Sequence, residues 1–581
     1  MHNSETMQSA AKKVQRSQAN RLINIICIIA LVIFWRWMWG YCWNPLETSC
    51  FSSPGYGGDH IQHYYAWQAY ATGNLATWLP PKFSNWTWPQ QVPLIYGDTV
   101  PLASIILAPI AKLTNDSFQY FSALSLLSII GSYLCGAWIG SFFSFKPYQS
   151  SLIGLVISLS PPALLRLAGH EALSLQIVII LAIALMIRRI RALSAWSLTL
   201  LLSLGTHAYM FAIVFPMAIL AQYACKSEGH NESVSPKFIK SNSLRIGVLC
   251  TIALLCLGLL GYIPNAADIS PGGEIWSANV FSLVDPQDYS LIAKALDKKD
   301  PYQWEGFSYL GWLGIIAIAL SIGAKTATGR TPINYSNVFP SPRWYWTLIT
   351  LFAIFSLGDQ WLAGNTLLMT MGNDLTLPRK LQQIFHATGR FMWPAYYSLM
   401  LWGLINSMRS TKFPKSLAIF FIILLIETHI PTAISVKKIL ASHYRDGQEW
   451  QQKSSTSQDP LLNTLAHAQL LLNATGDPWF RTDSLPQFTP KAINPQIATN
   501  YAPYLARFPN SFGSSNTGDP CKLAVDKINL TANNFERSRI YVIMQEKSAD
   551  GCQQLIDQKS KISIVAKVPT AIYSLTRQPS Y

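Results

Sequence analysis

The chain has 581 residues, half of them hydrophobic and 12% aromatic, with only 13% charged. A soluble chain carries about a quarter of its residues charged, so this composition excludes a disordered chain, a collagen-like chain and a small disulfide scaffold, and fits a membrane protein. Lys and Arg exceed Asp and Glu by 15, which in so apolar a chain points to inward loops holding a membrane orientation rather than to a nucleic-acid partner.

Apolar runs long enough to cross a bilayer start near Leu22 and recur up to Pro431. They predict an all-α polytopic membrane protein with about eleven transmembrane helices, near 22–40, 118–143, 151–167, 172–188, 194–206, 207–225, 244–263, 309–324, 345–358, 391–407 and 416–434. The fifth and sixth divide one long run around Gly205, His207 and Pro216. Segment 100–113 is apolar but short and holds Pro101 and Pro109, which suits a re-entrant or interfacial element. The N-terminal segment lacks a small-residue cleavage site and ends in Trp35, Arg36, Trp37 and Trp39, an interfacial belt rather than a signal peptide.

Charge orients these spans. Lys12, Lys13, Arg16 and Arg21 place the N-terminus inside. Alternation then puts inside the loops bearing Lys146; Arg188, Arg189 and Arg191; Lys226, Lys237, Lys240 and Arg245; Lys325, Arg330 and Arg343; and Arg409, Lys412 and Lys415. The pattern holds at every inward loop only if 100–113 does not cross. Three outward regions result: the first outer loop 41–117, the acidic loop 264–308, and everything after 435. Residues 1–435 therefore read as a membrane domain and 436–581 as a small α+β extracytoplasmic domain. This tail carries 27 charged side chains and strand-like runs at 540–544, 562–568 and 571–575. Cys42 and Cys50, and Cys521 and Cys552, fall on the outer side and are disulfide candidates. The five other cysteines (Cys27, Cys135, Cys225, Cys250 and Cys256) lie in or beside spans and read as packing residues.

The first outer loop is the densest polar region. Asp59 and His60 follow Gly57-Gly58, and His63 and Trp67 continue at spacings of four, which places them on one side of a helix over 60–70. Asp98 follows Gly97 before the short apolar element. A carboxylate among Gly turns and aromatic rings suits a general base acting on a hydroxyl. The alternative is that each Gly-Asp closes one element and the Asp caps the next. Arg166, His170 and Glu171 sit at the outer turn of the 151–188 hairpin, His207 at the break in the long run, and Glu305 before the eighth span. Arg390 opens the tenth span, with His386 four residues upstream. Charge at a span end is costly unless paired, so each is a functional candidate. Arg390 fits either interface anchoring or a bidentate contact to a lipid-linked phosphate.

The segments GYGGDHIQHYYAWQAY, YGDTVPLASIILAPI, LAGHEALSLQ, QWEGFSYLGWLGI and ATGRFMWPAYY resemble an uncharacterised bacterial family near the GT-C superfamily of integral membrane glycosyltransferases. The resemblance covers the part up to about residue 435. It implies an inverting transfer of a sugar from a polyprenyl-phosphate donor to a glycan, lipid or cell-envelope acceptor, at the outer face of a bacterial inner membrane. On this resemblance Asp59 matches the catalytic acid and Asp98 a second acidic position. Arg390 or Arg166 would meet the donor phosphate, and His60, His63, Trp67, His170, Glu171, His207, Glu305 and His386 would line the substrate. Nothing in the sequence itself requires a cofactor. A divalent cation, Mg or Mn, would find hard oxygen ligands in Asp59, Asp98 and Glu171. Two rival functions share the topology. One is a transporter or flippase of a lipid-linked precursor, the other a non-catalytic envelope-assembly protein.

Overall fold

The computed structural model describes residues 2–52, 59–72, 79–82, 93–114, 118–224, 236–262, 276–296, 301–327, 342–371 and 380–456, apart from 383 and 411–413, together with four strands in the tail. The chain divides into two compact units. The first comprises Met1–Pro45, Tyr120–Cys256 and Ile269–Ala441; the second comprises Leu46–Gln119, Leu257–Asp268 and Ser442–Tyr581. The first outer loop thus belongs to the same unit as the tail, a grouping that sequence distance conceals.

The fold is mostly helical. The helices are α1 (His2–Trp39), α2 (Ser49–Ser52), α3 (Asp59–Thr72), α4 (Pro101–Thr114), α5 (Phe121–Phe142), α6 (Pro147–Ser158), α7 (Pro161–Leu165) and α8 (Glu171–Ser174). They continue as α9 (Ile177–Ile187), α10 (Leu193–Thr206), α11 (Ala208–Ala224), α12 (Pro236–Leu259), α13 (Gly311–Ala327), α14 (Pro342–Ser356), α15 (Trp393–Ser410) and α16 (Lys415–Thr456). Among the described residues, five stretches are long and apolar enough to cross a membrane: Arg21–Trp43, Phe121–Phe142, Pro147–Ala168, Ser241–Leu259 and Lys415–Gln452. Five further apolar helices are shorter, Pro101–Thr114, Glu171–Ile187, Leu193–Thr206, Ala208–Tyr223 and Gly311–Gly323, so these residues do not establish the count of eleven. The long run around Gly205 splits at His207, whose backbone is extended (φ −168°, ψ 148°). A 14-residue helix such as α10 reaches about 21 Å, short of a hydrocarbon layer of about 30 Å.

Helices α5 and α6 pack through small residues. A Cβ built on Gly136 would lie 2.8 Å from the Gly154 Cα, and one on Gly140 would lie 2.7 Å from the Ser150 Cα. Both pairs are spaced by four, so each helix presents one narrow stripe, the small-xxx-small contact that lets backbones meet. Pro147 opens α6 at its first position, and Gln149 Oε1 accepts the Lys146 N–H at 2.8 Å. Pro161 ends the run, since a residue before proline is pushed out of the helical region. The core of the first unit gathers Ile179, Ile183 and Ile187 of α9 with Trp196, Met210, Tyr345, Trp393 and Tyr397.

One antiparallel hairpin, β1 (Gln360–Ala363) and β2 (Thr366–Thr370), follows α14 and turns at Gly364, whose φ is +58°. In the second unit, α4 leaves Ile106, Ile110 and Leu113 exposed along one face. The tail contributes β3 (Leu470–Asn473), β4 (Ala498–Thr499), β5 (Ile540–Gln545) and β6 (Ser563–Val568), an all-parallel sheet in the order β4-β3-β5-β6. The strand-like runs at 540–544 and 562–568 form β5 and β6; the run at 571–575 lies outside the described residues. Cys42 and Cys50 are disulfide-bonded, and Cys27, Cys135, Cys250 and Cys256 are free. Cys225, Cys521 and Cys552 lie outside the described residues.

Candidate functional site

Four of the charged candidates converge in the first unit. Glu305 sits in the 3-10 turn Pro301–Gly306, and Arg390 in the 3-10 turn Thr388–Met392. Arg166 opens the 3-10 turn Arg166–Ala168, and His170 precedes α8. Arg166 Nη2 lies 2.9 Å from Glu305 Oε2 and also donates to the Glu305 carbonyl at 3.0 Å. Arg390 grips the same carboxylate with two groups, Nε to Oε2 at 2.9 Å and Nη2 to Oε1 at 3.3 Å. His170 Nε2 is 3.6 Å from Oε1. Arg166 is 1% exposed and Glu305 3%.

The backbone makes this meeting possible. A Cβ on Gly389 would lie 2.7 Å from the Gly306 nitrogen, and one on Gly306 would lie 2.5 Å from the Ala278 Cα. The glycines adjoining Arg390 and Glu305 let the two turns touch main chain to main chain, so the short Glu305 side chain reaches both guanidiniums. Gly389 N–H also donates to the Trp276 carbonyl at 3.0 Å.

Aromatic rings cover the cations. The Arg166 guanidinium stands 4.4 Å from the Trp304 ring centre and 5.7 Å from that of Trp393. Arg390 stands 4.5 Å from the Tyr209 ring. Tyr209 is itself fixed, its hydroxyl accepting the Ala387 N–H at 2.8 Å and its N–H donating to His207 Nδ1 at 3.2 Å. His170 stacks on Trp304 with centroids 5.8 Å apart. Burial alone would raise the Glu305 carboxyl, but Arg166, Arg390 and His170 outweigh it and hold the group well below the usual carboxylate range. Glu305 is therefore an anion, and it holds the two guanidiniums in fixed orientations.

Glu171 is buried in α8 directly after His170, and His386 is partly buried just ahead of the Arg390 turn. Trp304, Trp393 and Tyr209 are not marked by the sequence as site residues. Trp304 carries a sequence signal of sorts, preceding Glu305 in QWEG, whereas Tyr209 and Trp393 look like ordinary span aromatics.

The second unit holds the two aspartates. Asp59 begins α3, where the helix dipole favours a carboxylate. The spacing predicts one polar side for Asp59, His63 and Trp67, but α3 is buried all round from His60 to Ala71 except at Gln62, so no such side stands apart. His60 stacks on His443 with centroids 3.7 Å apart and planes 6° from parallel. The Trp67 indole donates to the Phe118 carbonyl at 2.7 Å. Asp98 caps the turn Leu94–Gly97 in the left-handed region (φ 56°). A recess of about 670 Å³ along α16, lined by Tyr444, Arg445, Gln448, Glu449, Gln451 and Gln452, involves none of the candidates. Among the described residues, no three His, Cys, Asp or Glu side chains form a metal-binding group.

A family model described as a domain of unknown function, DUF6311, matches residues 26–427, more than two thirds of the chain. The chain belongs to the DUF6311 family. The matched DUF6311 span contains Asp59, Asp98 and all four members of the Glu305 cluster, and stops short of the tail. No curated protein matches the chain.

Proposed function

We propose that the chain is a GT-C-like membrane glycosyltransferase, moving a sugar from a polyprenyl-phosphate donor to an acceptor hydroxyl with inversion. The supporting observation is the buried pair of guanidiniums held by one carboxylate. As the bond between the anomeric carbon and the phosphate oxygen breaks, its electron pair stays on the phosphate, where negative charge develops. Donors already aligned in a water-poor setting stabilise such charge far better than solvated ones. Arg390 and Arg166 take that role, Glu305 aligns them, and Trp304 and Tyr209 exclude water above them.

Asp59 takes the role of base. Its carboxylate accepts the proton of the acceptor hydroxyl while that oxygen attacks the anomeric carbon, so one proton leaves the acceptor and one phosphate leaves the sugar. Asp98 supports the same end of the reaction. The donor and its lipid belong to the membrane, the acceptor is a glycan or envelope polymer, and the reaction proceeds outside the inner membrane, where nucleotide sugars are absent.

The test is a transfer assay with the chain in nanodiscs, a radiolabelled polyprenyl-phosphate sugar and an envelope glycan. Wild type transfers label, and Asp59→Asn reduces the rate by about 10²-fold or more. A wild type that only moves the labelled lipid between leaflets of a vesicle would instead establish the transporter reading. Full activity of Asp59→Asn would remove Asp59 from the base role.

A further inference from the structure

Strand β2 is exposed along its whole length. Leu367, Leu368 and Met369 are 45%, 58% and 45% exposed, and because successive strand residues face opposite ways, both faces of the strand are apolar. Val280, Phe281 and Val284 are exposed in the segment joined to the hairpin, where the Val280 N–H donates to the Leu362 carbonyl at 2.9 Å. No charged residue occurs between Gln360 and Thr370. An edge strand in water is usually guarded by lysine or proline, and this one carries neither.

The hairpin is nonetheless held firmly. Asn279 is buried and clamps its turn: Nδ2 donates to the Gly364 carbonyl at 3.1 Å, and Oδ1 accepts the Gly364 N–H at 3.0 Å. The same amide donates to Gln303 Oε1 at 2.8 Å. The apolar surface is thus presented by design of the fold.

The chain leading into the hairpin says what covers it. Helix α14 has 15 residues, about 22 Å against a hydrocarbon layer of about 30 Å. Arg343 and Trp344 at its start are of the types that anchor a helix at a membrane interface. A helix anchored there ends before the far boundary, so residues 357–371 continue within or at that boundary. Leu351 and Ile354 on α14 are exposed, and the hairpin extends that apolar surface. The edge of β2 that pairs with no other strand among the described residues would be costly at mid-bilayer, which places it where headgroups and water still reach.

We propose that the β1–β2 hairpin is a lipid-contacting element, with Leu367, Leu368 and Met369 seated at the boundary between headgroups and acyl chains. The inference rests on the membrane reading of the chain and not on glycosyl transfer. It is tested in nanodiscs holding one copy each, with an environment-sensitive fluorophore on Leu368→Cys and, separately, on Met369→Cys. Both side chains are exposed, so neither change opens the core. Labelled wild type gives the background from native cysteines, and Leu351→Cys on α14 reports the membrane reading itself. Lipids carrying a nitroxide near the headgroup should quench the labels at 368 and 369 several-fold more than lipids carrying it at the chain end, and aqueous iodide should quench them weakly. The label at 351 should favour the deeper nitroxide. Quenching at 351 together with free iodide access and no nitroxide quenching at 368 and 369 would overturn the hairpin proposal alone. Protection of the two hairpin labels only in discs holding two copies would overturn it in favour of a second chain. Absence of nitroxide quenching at 351 would overturn the membrane reading, and the hairpin proposal with it.

Discussion

Glu305 is the shared carboxylate of Arg166, Arg390 and His170, so three cationic or ionisable partners depend on it. Removing one partner of a buried ion pair leaves the others uncompensated, at a cost of about 3–5 kcal/mol. Glu305→Gln should therefore lower thermal stability in detergent by an amount of that order, and Glu305→Ala by at least as much. The pH dependence has a definite sign. The folded carboxyl is held below its unfolded value, which lies near 4.3 for a free glutamate, so its contribution is fully present above that value and is lost as pH falls below it toward the folded one. Wild type should hold its melting temperature from pH 8 to about pH 5 and lose it on further acidification, while Glu305→Gln shows a weaker acid slope. Equal slopes in the two proteins would mean that Glu305 is not the group that titrates. Arg390→Lys should weaken the pair too, since an ammonium cannot match the two-point contact of Nε and Nη2. The sequence marks Glu305, Arg166, His170 and Arg390 one by one as costly charges near span ends. Their convergence is not legible there, because Arg166 and Arg390 lie 224 positions apart and nothing in the spacing connects them.

At the scale of elements, glycine decides which backbones can meet. Gly136→Leu should drive α5 off α6, because the added side chain begins 2.8 Å from the Gly154 Cα, where only backbone atoms stand. Overpacking of this kind costs about 1–3 kcal/mol and often more, and it opposes the roughly 1 kcal/mol that a better helix former would return. A lower melting temperature in detergent is expected; a rise would show that the two helices tolerate separation. Gly389→Ala makes the same intrusion at the Glu305 turn and should reproduce part of the Glu305→Gln phenotype. The apolar runs reveal helices well, and the membrane-length stretches Arg21–Trp43, Phe121–Phe142 and Ser241–Leu259 of α1, α5 and α12 fall close to where hydropathy puts them. Their lengths are less legible. Hydropathy does not see the extended backbone at His207, nor that α16 continues to Thr456 beyond the expected end at 434, since the residues after Lys437 are polar yet remain compatible with a helix. The hairpin at Gln360–Thr370 escaped for a similar reason. Its apolar residues resemble the edge of a span, and the Gly364-Asn365 pair that marks the turn is a short signal inside a long hydrophobic context.

For the molecule as a whole, the distribution of charge predicts an orientation, and the orientation would limit the chemistry. The tail after residue 435 holds 16 Lys and Arg against 11 Asp and Glu, so most of the excess of 15 lies in the membrane part, in loops that alternation assigns to one side. The cost of carrying lysine and arginine to the outer side gives that asymmetry its direction. The expectation is an N-terminus inside and a tail outside, with the loop bearing Asp59 on the tail's side. A protease added to intact spheroplasts should then remove an epitope fused after Tyr581 and spare one fused before Met1, and detergent should expose both. Loss of the N-terminal epitope with protection of the C-terminal one would invert the molecule. Asp59 would then face the compartment that contains nucleotide sugars, and the argument for a lipid-linked donor would lose its physical basis even if the chain still transferred sugar. The two measurements therefore bear on different claims: the protease experiment decides where the donor must come from, and the transfer assay decides whether there is a transfer at all.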